Sequence, residues 1–171
     1  HEKILNKRRM RNLKKAYIAG GCFWGMEDLF RVRKGVIDTE VGYLGGNNDS
    51  PTYKNHPGHA EGIELTYNSD ETTLEEILDF FYRIHNPTTI DRQGNDRGSS
   101  YRSAIFFQNE EEKEISHKII KLVNATNKWE GKIATTLEPF DQFWPAEPEH
   151  QDYLVRIPNG YTCHFERFGS F

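Results

Sequence analysis

"KAYIAGGCFWGMEDLF", residues 15–30, changes its period at a pair of glycines. The first part, "KAYIAGG", reads as a short strand ending at Gly20 and Gly21. Beyond it Phe23, Met26 and Phe30 fall at i, i+3 and i+7, one face of a helix. Gly35, following Arg31, Arg33 and Lys34, supplies a helix stop with charges that suit the dipole. A lone cysteine, Cys22, sits where strand gives way to helix. Unpaired N–H groups and the macrodipole at a helix start favour a thiolate, with a lowered pKa, while the glycines leave the sulfur open. A cysteine after a strand is equally at home as a small buried residue, so these features alone leave core filler and nucleophile both open.

Outward from this stretch, "VIDTEVGY" at 36–43 reads as a second strand and "EGIELTY" at 61–67 as a half-buried third. Thr73 with Glu76 forms a capping box ahead of "LEEILDFFYRIH", a helix that should stop before Pro87. Then come the strand "RSAIFF", a helix over 110–124 and a strand near "KIATTL". The order β-α-β-β-α-β predicts an α+β fold with a ferredoxin-like core, extended by a helix and a strand. The tail from Pro139 to Phe171 is irregular, with one helix near "PEHQDYLVRI". Two polar loops, at 44–60 and 86–101, are long for a compact domain and read as site elements.

The chain of 171 residues has room for one sizeable core. No apolar run approaches the roughly 18 residues needed to span a bilayer, so a membrane protein is not expected. A net charge of −4 gives no global attraction to nucleic acid, although residues 1–15 carry seven Lys or Arg against one Glu. Residues 1–14 are read as a basic arm or linker and residues 15–171 as a single domain. Two cysteines, Cys22 and Cys163, are too few for a disulfide framework, and a reducing, cytoplasmic setting follows as the default.

The pentapeptide "GCFWG" resembles the signature of the A-type peptide-methionine sulfoxide reductases. The resemblance continues in "VGYLGG", "GHAEGIELTY", "IHNPTT", "DRQGNDRGSSYRSAIFF", "WPAEPEHQDYL" and "NGYTCHF", from about Lys15 to about Arg167. It implies an α/β roll with a ferredoxin-like core and reduction of S-epimer methionine sulfoxide, free or in proteins, as repair of oxidative damage. No metal or organic cofactor is implied.

By the same resemblance Cys22 is the nucleophile. Glu61 is the acid that protonates the departing oxygen, its pKa raised by aromatic surroundings. Tyr53 and Tyr101 hydrogen-bond that oxygen, Asp96 holds the substrate's backbone amide, and Phe23 with Trp24 forms the pocket for the methyl group. Cys163 resolves a Cys22 sulfenic acid by forming a disulfide. Thioredoxin then reduces that bond by exchange. Taken without the motifs, Glu61 reads as a solvated strand residue, Asp96 as turn chemistry, and both aromatics as core.

Other readings use other features. His56, His59, Cys163 and His164 have ligand types suited to zinc, at a spacing that fits no paired-Cys motif. A thiol peroxidase or Cys hydrolase would keep the nucleophile, though a hydrolase has no use for a second thiol. A module recruited through its basic arm would bind an anionic partner in a salt-sensitive way.

Overall fold

The computed structural model describes residues 12–171. Of the expected basic arm, residues 1–11 lie outside the described residues, and the first strand, β1 (Leu13–Gly20), already includes the last two of the arm. Helix α1 (Phe23–Arg31) follows, then β2 (Val36–Leu44), β3 (Ala60–Asn68) and α2 (Leu74–Ile84). A two-stranded ribbon, β4 (Arg92–Gln93) with β5 (Asp96–Arg97), and a short 3-10 turn at Ser99–Tyr101 interrupt the second long loop. Strand β6 (Ser103–Phe107), α3 (Glu110–Thr126), β7 (Thr136–Pro139), β8 (Phe143–Pro145) and α4 (Tyr153–Arg156) complete the chain.

The sheet runs β7-β6-β1-β3-β2-β8. Its central four, β6-β1-β3-β2, are mutually antiparallel neighbours, and β3 lies between β1 and β2, the split βαβ arrangement that the order of elements predicts. Alternation along the strands decides what each face buries. Ala16, Ile18, Ile63, Leu65 and Tyr67 turn to the side covered by the helices, where Met26, Phe30, Leu78 and Phe81 meet them. Tyr17, Ala19, Leu44, Ala104 and Phe106 turn the other way. That second face is closed by the chain between β7 and β8, where Phe140 stacks on Tyr17 at 4.0 Å.

Thr73 caps α2 by accepting from the Glu76 N–H at 3.2 Å, and the chain leaves the helix at His85, two residues before Pro87. Gly35 takes φ +85 past the end of α1. The expected strand near "KIATTL" begins only at Thr136 and pairs in parallel with β6. The helix expected near "PEHQDYLVRI" is broken: a 3-10 turn at Pro148–His150 and the four residues of α4 flank Asp152. Asp152 has φ +52, a conformation that no continuous helix contains.

Candidate active site

Cys22 is the N-cap of α1. Gly21 before it takes φ +96 and has Gln93 packed where a side chain would stand, so glycine is required twice over. The Cys22 side chain is 7% exposed. Burial and then the neighbouring Glu61 push its thiol well above the ordinary range, and the Trp24 backbone N–H opposes them only in part. The expected resting thiolate is therefore corrected. The helix start is present, but its one contribution, from the Trp24 N–H, is outweighed, and the site is enclosed rather than open to water.

Glu61 sits on the helix-facing side of β3, in phase with Ile63 and Leu65, opposite Tyr43 of β2. It is 1% exposed, and its Oε1 accepts the Phe23 N–H, the first of α1, at 3.3 Å. Its Oε2 is buried with no partner. Burial pushes the carboxyl up to about 8, against the Phe23 bond and with help from Asp96. At neutral pH it is mostly the acid, with one oxygen unengaged, and its charge acts on Cys22.

The two long loops bring the remaining residues here. Tyr53 and Tyr101 both have raised pKa values, through burial first and the Glu61 charge second, and Cys22 acts on both. Asp96 acts on Cys22, Glu61 and both tyrosines, and its Oδ2 accepts from the Tyr161 hydroxyl at 3.1 Å. Of the two aromatics, Phe23 has no exposed surface and packs on Tyr43 and His150. Trp24 is half-buried and stacks on Tyr153 at 3.9 Å, so it is the one that offers a wall. Cys163, a half-buried free thiol like the free Cys22, lies close enough for its charge to act on Cys22.

Reading the sequence missed the residues that hold this wall. His150 accepts the Trp24 indole N–H at Nδ1, 3.1 Å away, and stacks on Tyr53 at 4.6 Å. Glu147 takes the Tyr43 hydroxyl at 2.8 Å and the Tyr53 N–H at 3.0 Å. Burial opposes ionisation of Glu147, but these bonds outweigh it and hold the carboxylate below its usual range. The signal was the segment "WPAEPEHQDYL", whose individual side chains carry no pattern of their own.

The zinc reading fails on placement: among the described residues His56, His59, Cys163 and His164 do not gather as a ligand group, and both ring nitrogens of His56 and of His59 are already engaged, with Thr52 and Ser100 and with Gly46 and Asn48. Among the described residues the one group able to gather on a metal is Glu147, Glu149 and His150, and its imidazole Nδ1 already receives Trp24. A cavity of about 450 Å³ lies elsewhere, against Lys14, Tyr67, Thr73 and Glu112.

Over residues 14–169 the chain matches the family described as "Peptide methionine sulfoxide reductase", so it belongs to that family, whose members are oxidoreductases. Within it the chain is 58% identical over 158 residues, 92% of either chain, to "Peptide methionine sulfoxide reductase MsrA" of Mycobacterium sp. (strain MCS). The fold superposes on the crystal structure of Mxr1 from Saccharomyces cerevisiae in reduced form with a TM-score of 0.85, at 38% identity, over 92% of this chain and 94% of that one. It also matches Mxr1 in complex with Trx2, with a TM-score of 0.64 at 31% identity, over 92% of each chain. No helix among the described residues is long and apolar enough to cross a membrane.

Proposed function

We propose that this chain reduces the S epimer of methionine sulfoxide, free or in oxidised proteins, with Cys22 as nucleophile and Glu61 as acid. The observation that carries the reading is the Glu61 carboxyl: buried, raised to about 8, and with its Oε2 unpartnered next to a buried thiol. An orphaned buried polar atom is costly unless a ligand completes it, and a sulfoxide oxygen is the acceptor such an acid fits.

Glu61 gives its proton to the sulfoxide oxygen while Cys22 attacks, and the carboxylate left behind takes the Cys22 proton. The thiol, held neutral at rest, thus loses its proton only when substrate has accepted one. The attack joins the Cys22 sulfur to the substrate sulfur; the protonated oxygen then passes to the Cys22 sulfur as that sulfur–sulfur bond and the substrate sulfur–oxygen bond both break, so methionine leaves and Cys22 holds the hydroxyl as a sulfenic acid. Tyr53 and Tyr101 donate to the oxygen as its charge grows. Asp96 holds the backbone amide of the substrate, while Trp24, with Phe23 beneath it, encloses the methyl group.

Cys163 then forms a disulfide with Cys22, releasing water, and thioredoxin reduces that bond. The free state of both thiols and the likeness to a protein crystallised with Trx2 support this cycle. No metal or organic cofactor takes part. Residues 15–171 act as one reductase domain behind the basic arm of residues 1–14, in the cytoplasm.

Mixing the enzyme with one epimer of a methionine sulfoxide peptide at a time, with no reductant, tests the reading. Wild type should yield about one methionine per enzyme from the S epimer alone and a Cys22–Cys163 disulfide detectable by mass spectrometry. Cys22→Ser should yield none, and Cys163→Ser should still yield the single turnover yet fail to cycle with thioredoxin. Product from Cys22→Ser, or from the R epimer alone, would contradict it.

A further inference from the structure

Gly25 lies inside α1 with ordinary helical backbone, where glycine costs about 1 kcal/mol relative to alanine. Its smallness has a spatial reason. A Cβ there would overlap His164 Nδ1 and Thr162 Oγ1, because the tail beyond α4 lies directly on the helix. His164 is buried, and its Nε2 stands 2.7 Å from the Gly20 carbonyl oxygen. A carbonyl only accepts, so the ring proton is on Nε2 and Nδ1 carries the lone pair. That Nδ1 faces Gly25 on one side and lies 3.9 Å from Cys163 Sγ on the other. One imidazole therefore spans the turn around Cys22, from the last residue of β1 to the first turn of α1, and its sequence neighbour is Cys163. Burial holds its pKa near 4, so the ring stays neutral at working pH.

Other ties also hold the tail: the Tyr161 hydroxyl donates to Asp96 and bonds the Cys163 side chain, Cys163 rests near Gly94, and the Arg167 N–H donates to the Arg83 carbonyl at 2.8 Å.

We propose that His164, seated on Gly25, is a positioning residue for the second step, aiming Cys163 at the oxidised Cys22. This rests on the reading that Cys163 is the resolving thiol. In that step the Cys163 S–H donates toward Nδ1, which orients the sulfur. The Cys163 sulfur then bonds to the Cys22 sulfur, the Cys22 sulfur–oxygen bond breaks, and the departing hydroxyl leaves as water with the proton that Cys163 gives up. His164 ends the step neutral, and no outside oxidant is needed.

The test is a single turnover on S-epimer peptide, following two rates in the same mixture: methionine release and appearance of the Cys22–Cys163 bond by acid quench and mass spectrometry. His164→Ala and Gly25→Ala should each lower the ratio of the second rate to the first about tenfold or more, the scale of a misaimed reacting group. Gly25→Ala changes no tail residue, and methionine release in the same mixture reports on the intact first site, so a selective fall of the second rate is not a failure to fold. His164→Gln, whose amide N–H can still reach the Gly20 carbonyl, should recover part of the ratio. A wild-type ratio in both His164→Ala and Gly25→Ala overturns the proposal, as does an equal fall of both rates, which marks a merely structural contact. A wild type that releases methionine without forming the bond removes the disulfide reading itself, and this role with it.

Discussion

Glu61 takes its character from position rather than from type. A glutamate at a strand start is ordinarily solvated, but here the alternation of β3 turns it inward beneath the first N–H of α1, and burial converts it to an acid at neutral pH. Cys22 shows the reverse: the sequence suggests an activated thiolate, whereas enclosure beside that carboxyl keeps the thiol protonated until substrate arrives. In the proposed reaction the two tyrosines act on the same oxygen, so their effects should overlap. Tyr53→Phe and Tyr101→Phe should each lower kcat roughly tenfold, with the double variant less than the product of the two, since the remaining donor and Glu61 partly compensate. Full multiplicativity in steady-state kinetics would mean that the two hydroxyls do not share an acceptor. The motifs single out Cys22, Glu61 and both tyrosines, and the fold brings these four near one another. They do not single out His150, Glu147 and His164, because each acts through partners far away in the chain, Trp24, Tyr43 and Gly20 respectively.

The strands and helices of the core were legible because period, caps and stops agree: alternation in β1 and β3, Thr73 before α2, Gly35 after α1. The ribbon β4–β5 and the strand β8 were not, since two or three residues carry no period, and β8 exists only because β2 offers it an edge. Two buried histidines tie elements together. At the end of α2, His85 bridges the Phe81 carbonyl and Ser103 Oγ of β6, and His164 ties the tail to β1. Burial lowers them to about 3 and about 4. The unfolded chain binds protons at both near pH 6.5 while the folded one does not, so their contribution is complete above pH 6.5 and is lost as pH falls towards 4. Glu61 works in the opposite sense, since over pH 5–6 it is protonated in the folded chain and ionised in the unfolded one, so it offsets about 1.4 of the up to about 2.7 kcal/mol per pH unit that the two histidines contribute. Urea unfolding should therefore show stability falling by about 1.4 kcal/mol per pH unit between pH 6 and 5 in wild type, and in His85→Gln by about 1.4 kcal/mol per unit less than in wild type. Equal slopes in wild type and His85→Gln would show that the His85 ring is not held neutral.

The whole molecule assembles its site from distant pieces: the start of α1, the first residues of β3, two long loops, the segment after β8 and the tail. The split βαβ order places β3 between β1 and β2, so Glu61 on β3 and Cys22 after β1 meet at one end of the sheet. Aromatic stacking through Trp24, His150 and Tyr53 then sets the loops and the post-β8 segment around them. Family membership rests on residues 14–169. The central claim is that a buried, protonated Glu61 supplies the proton. It is tested most directly by the pH dependence of the single-turnover methionine burst in wild type and in Glu61→Gln. Wild type should be level below about pH 7 and fall through about 8, as the acid form is lost, while Glu61→Gln should be slower by about 100-fold or more and show no fall across that range. An unchanged alkaline fall in Glu61→Gln, or a burst as fast as wild type, would contradict the account.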